Sequence, residues 1–114
     1  PTKILEGRCE GKENVKASKV WAGDYNTFIV DTEDSLWACG TNAYGTLGKG
    51  NYNNYSKWVK IDYINGNDIK EIQVSTNSQF SVAIIIMNNG EVYGAGSNHG
   101  QLGSERKQEY VYKN

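Results

Sequence analysis

A chain of 114 residues with 38% apolar and 11% aromatic content can bury one small core, and a formal net charge of −1 with interspersed signs offers no electrostatic footprint for nucleic acid. Thirteen Gly, thirteen Asn and eight Tyr, against a single Pro and a single Met, favour β-structure with tight turns over a helical bundle. The longest apolar run, residues 82–87, is far below the ~18 residues that a helical bilayer crossing needs, so no membrane partner is expected.

Residues 1–5 are expected to form a short strand, and the polar residues 6–18 a surface loop. Cys9 and Cys39 lack CxxC or His-paired spacing and read as reduced, half-buried small residues. Lys19-Val20-Trp21-Ala22-Gly23 and Asn26-Thr27-Phe28-Ile29-Val30-Asp31 read as two antiparallel strands. A polar turn, Asp31-Thr32-Glu33-Asp34-Ser35, leads to a third strand at residues 36–39. Lys57-Trp58-Val59-Lys60-Ile61-Asp62 alternates as a half-exposed outer strand should, and Asn65-Gly66 marks a turn. Residues 68–75 restart the order begun at Lys19, and the apolar run within residues 80–87 suits a strand buried on both faces. Asn89-Gly90 predicts a two-residue hairpin turn of the primed type.

The chain is a repeat. Gly40-Thr41-Asn42-Ala43-Tyr44-Gly45-Thr46-Leu47-Gly48 returns as Gly96-Ser97-Asn98-His99-Gly100-Gln101-Leu102-Gly103, each time after a third strand. Asp34 to Gly90 and Gly40 to Gly96 both span 56 residues, whereas Val20 to Ile72 spans 52, so four extra residues sit near residues 76–80. A period of about 50 residues with four strands per unit is the pattern of β-propeller blades. Backbone N–H groups in such glycine turns can cradle phosphate, but no Lys-Ser/Thr pair and no helix follows either copy. The glycines are therefore read as structural blade corners: Gly40, Asn42, Gly45 and Gly48 in the first, Gly96, Asn98, Gly100 and Gly103 in the second. Asn42 and Asn98 are expected to fix those corners by hydrogen bonds to nearby backbone.

At these loops the chain resembles the repeats of the regulator of chromosome condensation family, an apolar strand followed by Gly-x-Asn-x-x-Gly-Gln-Leu-Gly. The first copy has Thr46 in place of Gln, and the second is one residue short between Asn98 and Gly100. Val20-Trp21-Ala22-Gly23-Asp24-Tyr25-Asn26-Thr27 resembles the family's apolar-Gly-x-x-His-Ser segment, with Asn26 where His is usual. The resemblance implies an all-β fold, two propeller blades of four-stranded antiparallel sheet, forming part of a larger, seven-bladed propeller. Residues 1–114 would be one partial propeller domain, with repeat one at about 4–58 and repeat two at about 59–112. Stacked repeats bury their faces against neighbours, so the remaining blades are expected in the same chain or in other chains.

Enzyme chemistry finds little purchase, and neither cofactor nor metal is expected. His99, the only histidine, sits in a glycine loop. Asp31, Glu33 and Asp34 lack calcium-loop spacing and read as a polar turn. By position in such a propeller, partners would meet Asp24 and Tyr25 in the first repeat and Thr76, Asn77 and Ser78 in the second. Tyr25 either provides contact area or packs on the neighbouring blade. Tyr52 and Tyr55 in the long connection form a second candidate patch. Three functions are weighed: a protein-interaction scaffold, which is favoured; guanine-nucleotide exchange on a small GTPase; and a secreted propeller inhibitor of an enzyme. The compartment is left open, with an intracellular setting, cytoplasmic or nuclear, favoured.

Overall fold

Alternating apolar residues between polar turns leave each stretch of this chain one face to bury, and the computed structural model shows how they do so for residues 3–5, 7–23, 25–40, 55–76, 81–97 and 108–113. Among the described residues lie strands β1 (Ala17–Ala22), β2 (Asn26–Asp31), β3 (Ser35–Gly40), β4 (Tyr55–Asn65), β5 (Ile69–Thr76), β6 (Ser81–Met87), β7 (Val92–Ser97) and β8 (Gln108–Lys113). They form two antiparallel meanders, β1-β2-β3-β4 and β5-β6-β7-β8, joined by a single 3-10 turn at Gly66–Asp68. Asn65 caps that turn by accepting a hydrogen bond from the Asn67 N–H at 2.9 Å. The all-β expectation of two four-stranded blades holds.

Strand register explains the uneven repeat arithmetic. Val20 pairs with Ile29 and Ile72 with Ile85, so first strands are offset by 52 residues and second strands by 56. In the first blade Gly23 N–H donates to the Asn26 carbonyl at 2.8 Å, closing a hairpin over residues 24 and 25. In the second, pairing runs on to Thr76 and Ser81 before the chain turns. The four additional residues lengthen this one hairpin and disturb no other pairing.

One core serves both blades. Phe28, Val30, Leu36, Ala38 and Ile61 project from one face of the first sheet and meet Ile72, Ala83, Ile85, Met87 and Ala95 of the second. Each of these side chains is nine-tenths buried or more, and together they give neither sheet an apolar centre of its own. The opposite face of the first sheet carries Ile29, Trp37 and Trp58, which pack with Cys9 and Val15.

Residues 3–5 are not a strand, contrary to the sequence reading. Instead the N-terminal segment folds over the first blade, where Cys9 forms a parallel bridge with Trp58. Trp58 N–H donates to the Arg8 carbonyl at 3.0 Å, and its carbonyl accepts from Glu10 N–H at 2.9 Å. The Trp58 indole N–H donates to the Ile4 carbonyl at 3.0 Å. These bonds occupy the edge of β4 that β3 leaves free.

That segment is also why the expectation for residues 80–87 needs correcting. β2, which it covers, is buried on both faces from Phe28 to Asp31. In β6 Ala83, Ile85 and Met87 alternate into the core, while on the opposite face Val82 is buried and Ile84 and Ile86 are half-buried.

The β6–β7 connection also differs from the primed turn. Gly90 N–H donates to the Met87 carbonyl at 3.0 Å and Met87 N–H to the Glu91 carbonyl at 2.9 Å. Only Gly90 in this loop has positive φ, at 92°. The loop is thus three residues long, with the glycine in the left-handed position. The β2–β3 turn has the same form: Asp34 N–H donates to the Asp31 carbonyl at 3.1 Å, and Asp34 takes φ 65°.

Asp31 holds that first turn together. It is 2% exposed; its Oδ1 accepts from the Glu33 and Ser35 N–H groups, both at 2.9 Å, and its Oδ2 accepts from the Trp37 indole at 2.9 Å. Asp31→Asn places an amide N–H against the indole N–H, leaving buried donors facing each other. A loss of roughly 2 kcal/mol or more is expected, read as a lower urea midpoint with an unchanged slope.

Both thiols are free, with Cys9 buried and Cys39 half-buried. Burial pushes the Cys9 thiol up, helped by the Asp31 carboxylate and opposed by Lys12. Burial likewise raises Cys39, with a further push from Cys9. The folded chain therefore holds these protons more tightly than the unfolded chain does. Their contribution to stability is intact below the ordinary thiol value of 9.0 and is lost as pH rises above it. Urea midpoints across alkaline pH should fall less steeply in a Cys9→Ala, Cys39→Ala variant than in the parent.

Candidate functional site

The site expected at the β1–β2 connection is built on one glycine. Asn26 at the start of β2 and Tyr55 at the start of β4 both pair with Gly40 at the end of β3. Gly40 has φ 113°, and a Cβ placed on it would lie 2.3 Å from the Tyr25 carbonyl oxygen and 2.7 Å from Asn26 Cα. Only a residue without a side chain lets the hairpin backbone lie on this corner. The hairpin is also close-packed on its other side, since a Cβ on Gly23 would fall 2.7 Å from both Asn26 Oδ1 and Val74 Cγ1 of the second blade.

Held in this way, Tyr25 is 61% exposed, whereas the neighbouring Asn26 is 3% exposed. Among the described residues nothing packs over most of the Tyr25 side chain. Thr76 ends β5, at the same end of the sheets, because β1 and β5 both run toward their hairpins. Tyr25, the backbone of Tyr55 and that of Thr76 thus share one end of the two blades. Asp24, Tyr52, Asn77 and Ser78 lie outside the described residues.

Of the corner residues, Gly96 repeats Gly40 closely: it has φ 114° and pairs with Val82 and Glu109 on its two sides. Asn42, Gly45, Gly48, Asn98, Gly100 and Gly103 lie outside the described residues, as does His99. The Asp31 and Glu33 carboxylates of the acidic turn already have protein partners. Asp31 is satisfied by two amides and an indole, and Glu33 forms an ion pair with Lys12. No group of three or more His, Cys, Asp or Glu comes together as a metal site among the described residues.

A concavity that sequence reading did not find lies at the other end of the blades. It is a cleft of about 390 Å³ lined by Ile64, Asn65, Asp68, Met87, Asn88, Asn89, Glu91 and Tyr93. Its residues come from two stretches of the chain, 64–68 across the end of β4 and the crossover turn, and 87–93 from the end of β6 through its loop into β7. Nothing in the local sequence pattern joins them.

The repeat pattern and the blade geometry find their counterparts among known proteins. The model of the regulator of chromosome condensation (RCC1) repeat matches residues 33–84, a unit that runs from the β2–β3 turn into β6 and so straddles the two sheets. The human E3 ubiquitin-protein ligase HERC2 is 35% identical over 80 residues, covering 68% of this chain and 2% of HERC2. The Arabidopsis thaliana ultraviolet-B receptor UVR8 is 28% identical over 100 residues, covering 88% of this chain and 22% of the receptor. The chain thus spans only a small part of the length of these relatives. Human WBSCR16 superposes with a TM-score of 0.68 at 19% identity, over 85% of this chain and 24% of that one. Yeast RCC1 (Prp20), solved bound to Kap60, gives 0.63 at 16% identity, over 90% and 26%. Saccharomyces cerevisiae Prp20p, described with its binding to Gsp1p and histones, gives 0.59 at 15% identity, over 90% and 27%. Identities this low speak to fold alone, but the fold agrees with the motif, the period and the family match. The chain carries RCC1-like repeats.

Proposed function

We propose that this chain is a non-enzymatic protein-interaction module, in which rigid RCC1-type blades present short connections to a protein partner. The observation that carries the proposal is the exposure of Tyr25, a large amphipathic ring projecting from a hairpin fixed by Gly40 below and Val74 beside it. A rigid support lowers the entropy lost when such a side chain is captured, which is what makes a small aromatic contact effective. By sequence position the proposed docking residues also include Asp24, which precedes Tyr25, and Thr76 and Asn77 of the corresponding connection in the second repeat. Tyr52, in the connection that precedes β4 in sequence, and Tyr55, where β4 starts, are the second patch proposed. Proteins of like fold support the class of partner, since yeast RCC1 (Prp20) was solved bound to Kap60.

Guanine-nucleotide exchange is the finer alternative, and it draws only on likeness of fold to the RCC1 structures, which does not itself carry an activity. An inhibitor role would use the same exposed Tyr25 against an enzyme surface. All three readings place a protein at the hairpin end, and the scaffold role asks least of the residues present.

The docking surface is tested by replacing Asp24 and Tyr25 with Ala in the intact protein. Recovery of its bound protein partners is expected to fall about tenfold or more while the melting temperature stays unchanged. A matching fall in melting temperature would make these residues structural and remove the proposal. Gly40→Ala provides the contrast. It forces a side chain into a positive-φ position and against the Tyr25 carbonyl. It is expected to destabilise the fold by about 1–3 kcal/mol for the backbone conformation alone, measured by urea unfolding.

A further inference from the structure

We propose that the cleft between the two blades, at the end opposite Tyr25, is a binding site for an arginine side chain presented by a partner peptide. This surface is separate from the docking face proposed above. The β2 strand runs from Asn26, beside Gly40, to Asp31, and the crossover turn meets that far end through Gly66 N–H donating to the Asp34 carbonyl at 2.8 Å.

The floor of the cleft is apolar, with Ile64 and Met87 buried and the half-buried ring of Tyr93 beside them. Its rim carries two carboxylates, Asp68 and Glu91, and three amides, Asn65, Asn88 and Asn89, with no cationic side chain among the lining residues. The volume of about 390 Å³ is at the lower end of ordinary ligand clefts, enough for one long side chain and its flanking backbone.

The rim is held rather than floppy. Asn88 N–H donates to the Asp68 carbonyl at 2.8 Å, and the Asn88 side-chain amide donates to the Asn67 carbonyl at 3.1 Å, tying the crossover to the β6–β7 loop. Glu91 is oriented by the Asn89 amide at 2.6 Å on one oxygen and by the Tyr93 hydroxyl at 3.4 Å on the other. Each of those oxygens keeps acceptor capacity after these bonds.

An aliphatic stem on an apolar floor, a planar cation beside an aromatic ring and forked donors toward the two rim carboxylates, of which Glu91 is held by its own hydrogen bonds, together describe arginine. Lysine supplies the charge but neither the plane nor the fork. Apolar or acidic side chains would leave the carboxylates without a counter-charge.

The test uses the intact protein and the peptide acetyl-Gly-Arg-Gly-amide, followed by nuclear magnetic resonance. Saturable shifts are expected at Met87, Tyr93 and the side-chain amides of Asn88 and Asn89. The same peptide with citrulline, which keeps shape and loses charge, should produce none. A variant carrying Asp68→Asn and Glu91→Gln should bind about tenfold or more weakly, with its spectrum otherwise preserved because both residues are exposed. Absence of saturable shifts up to about 10 mM peptide overturns the proposal, since even a single well-placed side chain registers there. So does equal binding of the citrulline peptide, an unaffected variant, or shifts scattered over acidic residues outside the cleft.

Discussion

The whole architecture depends on burying one apolar layer between two sheets. Phe28, Val30 and Leu36 have no partner layer within their own blade, and neither do Ile72, Ile85 and Ala95 within theirs. At about 25 cal/mol per Å² of apolar surface removed from water, this layer is the main favourable term available to so small a chain. It also fixes where everything else sits. Val74 can support the Gly23 corner, and Asn88 can tie to Asp68, only because the blades are already face to face. Both candidate surfaces, at opposite ends, are therefore products of the same contact.

The outward faces of the pair are unequal. In the first blade Ile29, Trp37 and Trp58 are covered by the segment carrying Cys9 and Val15, and the β4 edge is occupied by the backbone around Cys9. In the second, Ile84 and Ile86 are half-buried and Val92 is 41% exposed. Exposed β-branched residues along one sheet face are what a propeller blade offers to its neighbour. The first blade's outward face is thus largely covered, with Val20 on it still 58% exposed, and the second blade's apolar residues are covered only in part.

Much of this was legible in residues that recur. Glycine spacing at Gly40 and Gly96, read with the 52- and 56-residue offsets, carried the blade count, the strand order and the location of the longer hairpin, because register ties those quantities together. What was not legible came from contacts distant in sequence or from competition between local options. Residues 3–5 have a strand-like composition but bond to the Trp58 indole instead. Asn89-Gly90 is compatible with more than one turn, and pairing of Met87 with Glu91 selects the three-residue form. The exposure of Tyr25 depends on Gly40, fifteen residues later in the chain, and the cleft draws on two segments about twenty residues apart. No local pattern encodes such meetings.

The two β-turns reach one shape by different chemistry. In the first blade a buried carboxylate at Asp31 gathers two amides and the Trp37 indole; in the second, Met87 and Tyr93 occupy those positions, Gly90 replaces Asp34, and Asn89 bonds the Glu91 amide itself at 2.9 Å. The copies are therefore not exchangeable piece by piece. A gene rearrangement that joined them between the acid and the indole would create one unit with an indole facing a thioether and another with a buried carboxylate missing its ring donor. Homologous in origin and alike in outline, the repeats have become locked to their own halves, so that lengthening or shortening the array has to proceed in units cut outside that turn.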